Sequence, residues 1–411
     1  MREPQLRVAI VGGGIGGLAA AGALVGRGID VTVHERATGL GEIGAGVFVT
    51  PNSVRLLERM GLGGAIAAAG ARVGDGSSYY RKDGALVAPI LTTDSSGEIA
   101  AFGMHRADLL GLLADALPEG TVHTGKECVG FRQDTDGAEV EFADGSSVGA
   151  DVVVAADGIN SNLRGHVVEP RTAVHSGSVA YRGLIDAERL PWWTPGVSQL
   201  WMGEGKHFLV YPVRGGAQIN YVGFVPSDEQ TTESWSAPGD PAKLAAAFAD
   251  WDPRIVGLLD EVEEAFWWGL YDREPLDRWS EGRLTLLGDA AHPMLPHLGQ
   301  GANQSVEDGV ALAVLLAAGG REGVEAALQA YEELRRERTS AIQLGARANG
   351  RRYDSAYPDL RDRDAEIAAS ATFRLWLYDY DSQTEAEAVA RTLKTTVAAG
   401  RRGRATRAEH P

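Results

Sequence analysis

The sequence predicts an α/β chain: a parallel sheet wound with helices, interrupted by a β-rich insertion and followed by a helical segment. Three observations carry that reading. An apolar run at 6–11 leads through a glycine-rich loop into an alanine-rich helix reaching about residue 27, and a second apolar run follows at 29–35. That order is a βαβ opening. Eight of the nine tryptophans lie between residues 173 and 279, with alternating stretches at 199–202, 208–213 and 218–224, the pattern of antiparallel strands. From Asn303 almost to residue 400 the apolar spacing is helical.

The remaining elements follow in order. A flexible loop is expected at 39–46. Pro51, Asn52 and Ser53 open a helix whose apolar positions are Val54, Leu57 and Met60. Arg106 begins another helix, to about Leu117. Strands are expected at 127–133, 138–142 and 147–154, joined by Asp136-Gly137 and Asp144-Gly145, both good hairpin turns. An apolar run ends at Asp157-Gly158, and a strand at 284–287 ends at Gly288-Asp289. The expected domains are 1–72 with 100–172 and 280–345, a Rossmann-like unit; 73–99 with 173–279, the inserted unit; and 346–400, C-terminal helices. Residues 401–411 are expected to be a disordered tail, with four arginines in the last twelve residues.

Composition excludes other classes. Of 411 residues, 39 are Lys or Arg and 56 Asp or Glu, a net charge of −17; nucleic-acid binding, which needs basic patches, is not expected. The single cysteine, Cys128, cannot form an internal disulfide or a thiolate cluster, and no metal site is expected. Residues 8–26 carry no charge and have the length of a membrane span, but seven of those 19 residues are glycine. A cytoplasmic protein without a membrane anchor is expected.

Gly12, Gly14 and Gly17 form G-x-G-x-x-G between a strand and a helix. The first permits the tight turn, the second lets a pyrophosphate approach, and the third packs helix on strand. The helix start supplies free N–H groups and a partial positive charge. Glu35 follows where an acid accepts hydrogen bonds from a ribose. These residues alone suit NAD or FAD equally.

Two further motifs decide between them. Residues 157–164 (DGINSNLR) and 288–293 (GDAAHP) each follow a strand. With the N-terminal glycines they make the chain resemble, from about 6 to 345, the class A FAD-dependent aromatic hydroxylases typified by p-hydroxybenzoate hydroxylase. The local match is to the salicylate, 3-hydroxybenzoate and 6-hydroxynicotinate hydroxylase branch. The resemblance implies the glutathione-reductase-type FAD fold, with NADH or NADPH as transient electron donor. It implies that Asp157 and Arg164 support pyridine-nucleotide use, that Arg106 meets the FAD pyrophosphate, and that Asp289 holds its ribityl region. It puts Gly299, Gln300, Gly301, Ala302 and Asn303 at the flavin ring. Ile15, Gly16, Arg36, Gly46, Val47 and Val129 are assigned to the cofactor surface as well. Simpler readings stand beside these: a turn aspartate at 157, a helix-start charge at 106, an N-cap at 289. A second G-x-G-x-x-G after a strand is lacking, so no separate nicotinamide domain is expected.

For the substrate, the stretch 205–213 resembles a strand that faces the flavin in that branch. His207 and Tyr211 are four apart and share one strand face. His297 sits where related enzymes place a pocket residue. A flavin hydroperoxide attacks an electron-rich ring, and a phenol reacts better once a base takes its proton; histidine, with a pKa near ~6.5, suits that task. Satisfied core side chains are the plain alternative for all three. Arg182 reads as a substrate carboxylate partner or a structural ion pair, and His292 as packing near the flavin loop. Residues 47–49 (Val-Phe-Val) make an apolar wall, which speaks against a small carboxylated pyridine. The expected function is NAD(P)H-dependent hydroxylation of a phenolic or related aromatic compound with molecular oxygen, by a monomer or homodimer. Epoxidation, Baeyer–Villiger insertion, reduction, or flavin binding without turnover remain alternatives. The 346–400 helices either cap the pocket or pair two chains.

Overall fold

The computed structural model describes residues 6–41, 45–169, 172–227 and 237–408, with side chains to residue 395. The strand Arg7–Val11 lies in the middle of a six-stranded sheet. It pairs in parallel with Asp30–His34 on one side and Val152–Ala155 on the other. Val122–His123 and Leu284–Leu286 extend the parallel order outward, and Ser280–Glu281 closes one edge antiparallel. Val8 to Val11 and Val152 to Ala155 are buried, as parallel strands covered on both faces require.

Two helices follow from this sheet. Ile15–Val25 leaves the first strand, and Gly301–Gly319 crosses it closely. A Cβ on Gly309 would stand 2.8 Å from the backbone of Ala20, so small residues permit the crossing. Both helices begin beside the carboxyl ends of the strands, where parallel α/β sheets bind ligands.

The second sheet has eight strands, in the order Ala237–Gly239, Ala265–Asp272, Val174–Asp186, Gln218–Pro226, Lys206–Val213, Gln199–Gly203, Ser78–Arg81 and Leu86–Pro89. All pairs are antiparallel except Gln199–Gly203 with Ser78–Arg81. One face buries Trp201, Phe208, Tyr221 and Phe248 with the short helices Pro241–Ala247 and Pro253–Leu259. The other face meets the first sheet's ligand edge. The strands at Val174–Asp186 and Ala265–Asp272 are absent from the sequence reading. Gly177 sits at a register shift in the first, and Phe266-Trp267-Trp268 hides the alternation of the second.

Two expectations differ from the structure. The expected strand 147–154 is two strands. Ser147–Ala150 belongs to a small antiparallel sheet and Val152–Ala155 to the parallel one. The break falls at Asp151, whose buried carboxylate accepts the Arg7 N–H at 2.9 Å. The terminal helix Ser382–Ala408 continues through most of the expected disordered tail; its alanines and arginines are strong helix formers. Residues 409–411, and 42–44 of the expected flexible loop, lie outside the described residues.

The long helix Val324–Asp354 runs from the first domain to the second sheet. Leu360–Ala369 and Ala371–Tyr378 follow it, and the terminal helix returns Ala386, Ala390 and Leu393 to the main core. No helix among the described residues is long and apolar enough to cross a membrane.

Candidate active site

A cleft of about 320 Å³ runs along the ligand edge of the parallel sheet into the second sheet. Gly12 has φ +111°, and a Cβ there would stand 2.2 Å from the Ala156 carbonyl oxygen. A Cβ on Gly17 would stand 2.0 Å from the Gly12 carbonyl oxygen. These two glycines let strand, turn and helix touch. Gly14 has nothing within 4 Å of its missing side chain and lines the cleft with Ile15 and Gly16. The open space at Gly14 is where a phosphate group fits.

Glu35 accepts the N–H of Gly13 at 2.7 Å and of Ala37 at 2.8 Å, so its carboxylate is anchored beside the loop. Arg106 starts the helix Arg106–Asp115 and lines the cleft opposite the glycine loop. Asp289 lines it too. Burial pushes the Asp289 carboxyl up, against the pull of His292, Arg106 and Arg164.

The far end of the cleft is the start of Gly301–Gly319. Neither this helix nor Ile15–Val25 has an acidic residue in its first turn. Both therefore present free N–H groups and the positive end of a helix dipole to one cleft. That donor set fits a ligand with a pyrophosphate at one end and an acceptor-rich ring at the other. FAD is such a ligand, and Gly14, Ile15, Gly16, Arg106, Asp289, Gly301 and Ala302 would hold it.

The structure refines several expected cofactor residues. The side chains of Gln300 and Asn303 are bonded within the protein, and Gln300 lines the cleft while Asn303 does not. The Asn303 amide donates to the Phe48 and Gly299 carbonyls at 2.9 and 2.7 Å and accepts the Thr50 N–H at 2.9 Å. Gln300 bonds Thr50, Asn52 and Gln304. Together they clamp the Gly46–Val49 strand to the helix start, so Gly46, Val47 and Gly299 line the cleft. Arg164 is buried and donates to the carbonyls of Gly158, Ile159, Asp289 and Ala290. It braces two loops together. Asp157 accepts the Asn162 and Leu163 N–H groups, an anchored turn behind the cleft wall. Arg36 is exposed, and Val129 is 61 % exposed on the strand Cys128–Gln133; neither lines the cleft.

A buried charge cluster supports this helix start, and sequence reasoning missed it. Arg335 donates to Glu307 at 2.6 Å and to Asp308 at 2.8 Å, and Arg338 donates to Glu307 at 3.0 Å. His292 pairs with Asp308 at 2.6 Å. The only sequence signal was a pair of acids inside an otherwise apolar helical run.

On the strand Lys206–Val213, alternate residues 207, 209 and 211 face the ligand side. Tyr211 lines the cleft, its ring tilted against that of Phe48 at 4.2 Å. Its burial raises the phenol pKa, so it stays protonated. Asn220, on the adjacent strand, accepts the Gly46 N–H at 2.8 Å and lines the same wall; it was not foreseen. Arg182 lies over Trp268 at 4.8 Å in that wall.

His207 and His297 instead line a second recess of about 70 Å³. Phe48, Leu209, Phe224, Pro296 and Gly299 form the partition shared by both spaces. The ring of His207 stacks on Phe224 at 4.0 Å and meets His297 at 5.0 Å. Burial, with His207 nearby, lowers the His297 pKa well below the usual value, so that ring is neutral. The C-terminal helices complete the recess through Tyr353, Arg374 and Tyr378.

Comparison with known proteins gives a family and a fold. Residues 5–344 match a family described as FAD binding domain. A 3-amino-4-hydroxybenzoate 2-monooxygenase of Streptomyces platensis is 39 % identical, over 92 % of this chain and 96 % of its own. A solved salicylate hydroxylase substrate complex superposes with a TM-score of 0.81 at 30 % identity, covering 94 % of this chain and 98 % of that one. The structure of CtdE in complex with FAD and substrate superposes at 0.83 with 25 % identity, over 96 % of this chain and all of that one.

Proposed function

This chain belongs to the FAD binding domain family, and on that premise we propose that it is an NAD(P)H-dependent FAD monooxygenase that hydroxylates a phenolic or related aromatic compound. The observation that carries the reading is the continuity of two spaces. A cleft fitted to a dinucleotide, with two helix starts aimed at it, shares a wall with an aromatic recess containing two histidines. Bound FAD, reduced by NAD(P)H, supplies the activation of molecular oxygen. The chain's own residues bind the ring, exclude water and move its phenolic proton.

His207 and His297 are the proposed proton acceptors. The Asp354 carboxylate lies 2.7 Å from His207 Nδ1. An ionised carboxylate only accepts, so Nδ1 carries the hydrogen and Nε2 is left basic. His297, held neutral by burial, is the weaker base of the two and accepts a hydrogen bond from the ring hydroxyl. Tyr211, held protonated, is a hydrogen-bond donor at the partition between cleft and recess. The C-terminal helices act as the cap of the recess. The reading includes a cytoplasmic location, a monomer or homodimer, and a small aromatic substrate as the organic partner.

The test is direct. Purified protein is expected to be yellow, and a suitable phenol to accelerate NAD(P)H oxidation. The product is expected to gain one atom from labelled molecular oxygen. A colourless protein that FAD does not reconstitute defeats the proposal. A product without the label transfers the reaction to the reductase class.

A further inference from the structure

The recess contains a cation that the chain itself does not neutralise. Arg374, on the helix Ala371–Tyr378, lines both the recess and a neighbouring outer groove. Its hydrogen bonds among the described residues go to phenols: Nη1 to Tyr378 Oη at 3.5 Å and Nη2 to Tyr353 Oη at 3.4 Å, both long. It lies 5.8 Å from the Tyr79 ring, and its Nε is buried without a hydrogen-bond partner. No carboxylate pairs with it among the described residues. The contrast with the buried arginines is plain: Arg335 and Arg338 both hold Glu307, whereas Arg374 is half-buried and holds no acid among the described residues. A half-buried guanidinium without an acid is a ready partner for an anion that arrives with a ligand.

The surroundings define that anion. Phe48, Tyr79, Leu209, Phe224 and Tyr353 make apolar and aromatic walls suited to a single ring. Tyr353 spans the distance between the two functional ends of the recess. Its ring lies 5.2 Å from the ring of His207, and its hydroxyl lies 3.4 Å from the guanidinium. A ligand ring alongside Tyr353 therefore reaches the histidines at one end and the cation at the other. A planar guanidinium matches a carboxylate with two parallel hydrogen bonds.

We propose that Arg374 is the specificity-determining anchor for the carboxylate of a single-ring hydroxylated aromatic acid, whose ring hydroxyl faces His207 and His297. This rests on the monooxygenase reading and narrows its substrate class. It also reverses the emphasis of the apolar wall at Val47–Val49: the charge recognising the acid comes from the C-terminal cap.

The experiment uses the FAD-loaded full chain, its R374Q and R374K variants, and matched pairs of probes. 3-Amino-4-hydroxybenzoate, 4-hydroxybenzoate and 2-hydroxybenzoate are each compared with the corresponding amide, with binding read from the flavin absorbance change. In the unsubstituted protein at least one acid is expected to bind roughly 10- to 100-fold tighter than its amide, the range for a charge-assisted hydrogen bond. R374Q is expected to erase that preference while leaving amide affinity within about threefold, and R374K to restore part of it. If no acid binds tighter than its amide, or R374Q weakens acid and amide equally, the proposal is overturned. Neutral phenols that stimulate NAD(P)H oxidation in that event would leave the monooxygenase reading standing.

Discussion

His207 and Asp354 are 147 residues apart in the chain and meet at 2.7 Å, Nδ1 to Oδ1. The histidine is 1 % exposed and the aspartate 23 %. Asp354 is the last residue of a 31-residue helix and lines an outer groove, so the pair joins the aromatic recess to the solvent side.

That relationship makes Asp354 a positioning residue for His207. D354N replaces an acceptor-only group with an amide and frees the tautomer of the imidazole. We expect kcat to fall by about 10²-fold, within the ~10²–10⁴ of a positioned base. KM is expected to change little and FAD content not at all, because Asp354 does not line the cofactor cleft. Stopped-flow and steady-state rates across pH check this; D354E is expected to recover part of kcat and D354N to move the profile.

Two glycines of one loop separate folding from cofactor binding. A Cβ at Gly17 meets the Gly12 carbonyl at 2.0 Å, whereas one at Gly14 points into open space. G17A is expected to lower the melting temperature of the apoprotein by several degrees. G14A is expected to leave apoprotein melting unchanged and weaken FAD binding, since the added methyl enters the cleft. Calorimetry of apo and reconstituted protein distinguishes the two outcomes.

The cluster behind the flavin-facing helix start makes Arg335 a structural key. It is fully buried between Glu307 and Asp308. R335M removes the buried cation shared by two carboxylates and leaves Glu307 with Arg338 and Asp308 with His292, a change that costs about 3–5 kcal/mol. Urea denaturation is expected to show that loss, with release of FAD at lower urea than in the unsubstituted protein.

Stability is expected to fall as the medium turns mildly acidic. Burial, with His123 and Lys126 nearby, holds the His34 pKa down at about 4. His297 is lowered by burial and His207. The unfolded chain takes up these protons near ~6.5. Between that value and the folded one, the unfolded state binds more protons, so stability drops as pH falls. Melting temperature is expected to decrease from pH 7 to pH 5, and H34Q to flatten the decrease. An unchanged slope in H34Q would remove His34 from the account.

Local patterns made the cofactor half legible from sequence. A strand, three spaced glycines and a helix make contacts within a few residues, so Gly12, Gly14 and Gly17 could be read in order. The Gly288-Asp289 and Gly299–Ala302 segments carried the same kind of short-range signal. The substrate half depends on long-range contacts. Residues 207 and 211 share a strand face, yet His207 and Tyr211 line different spaces, because Phe48 and Leu209 form a partition between them. Gln300 and Asn303 were legible as loop residues, but the inward direction of their side chains was not. The sequence by itself determined an acidic α/β chain with a dinucleotide loop and an aromatic-rich insertion. Only the tertiary structure decided that Asp354 holds His207 and that Arg374 reaches the recess from the far end of the chain. Residues 147 to 167 positions apart meet there through packing of whole helices on a sheet, and no local periodicity records that packing.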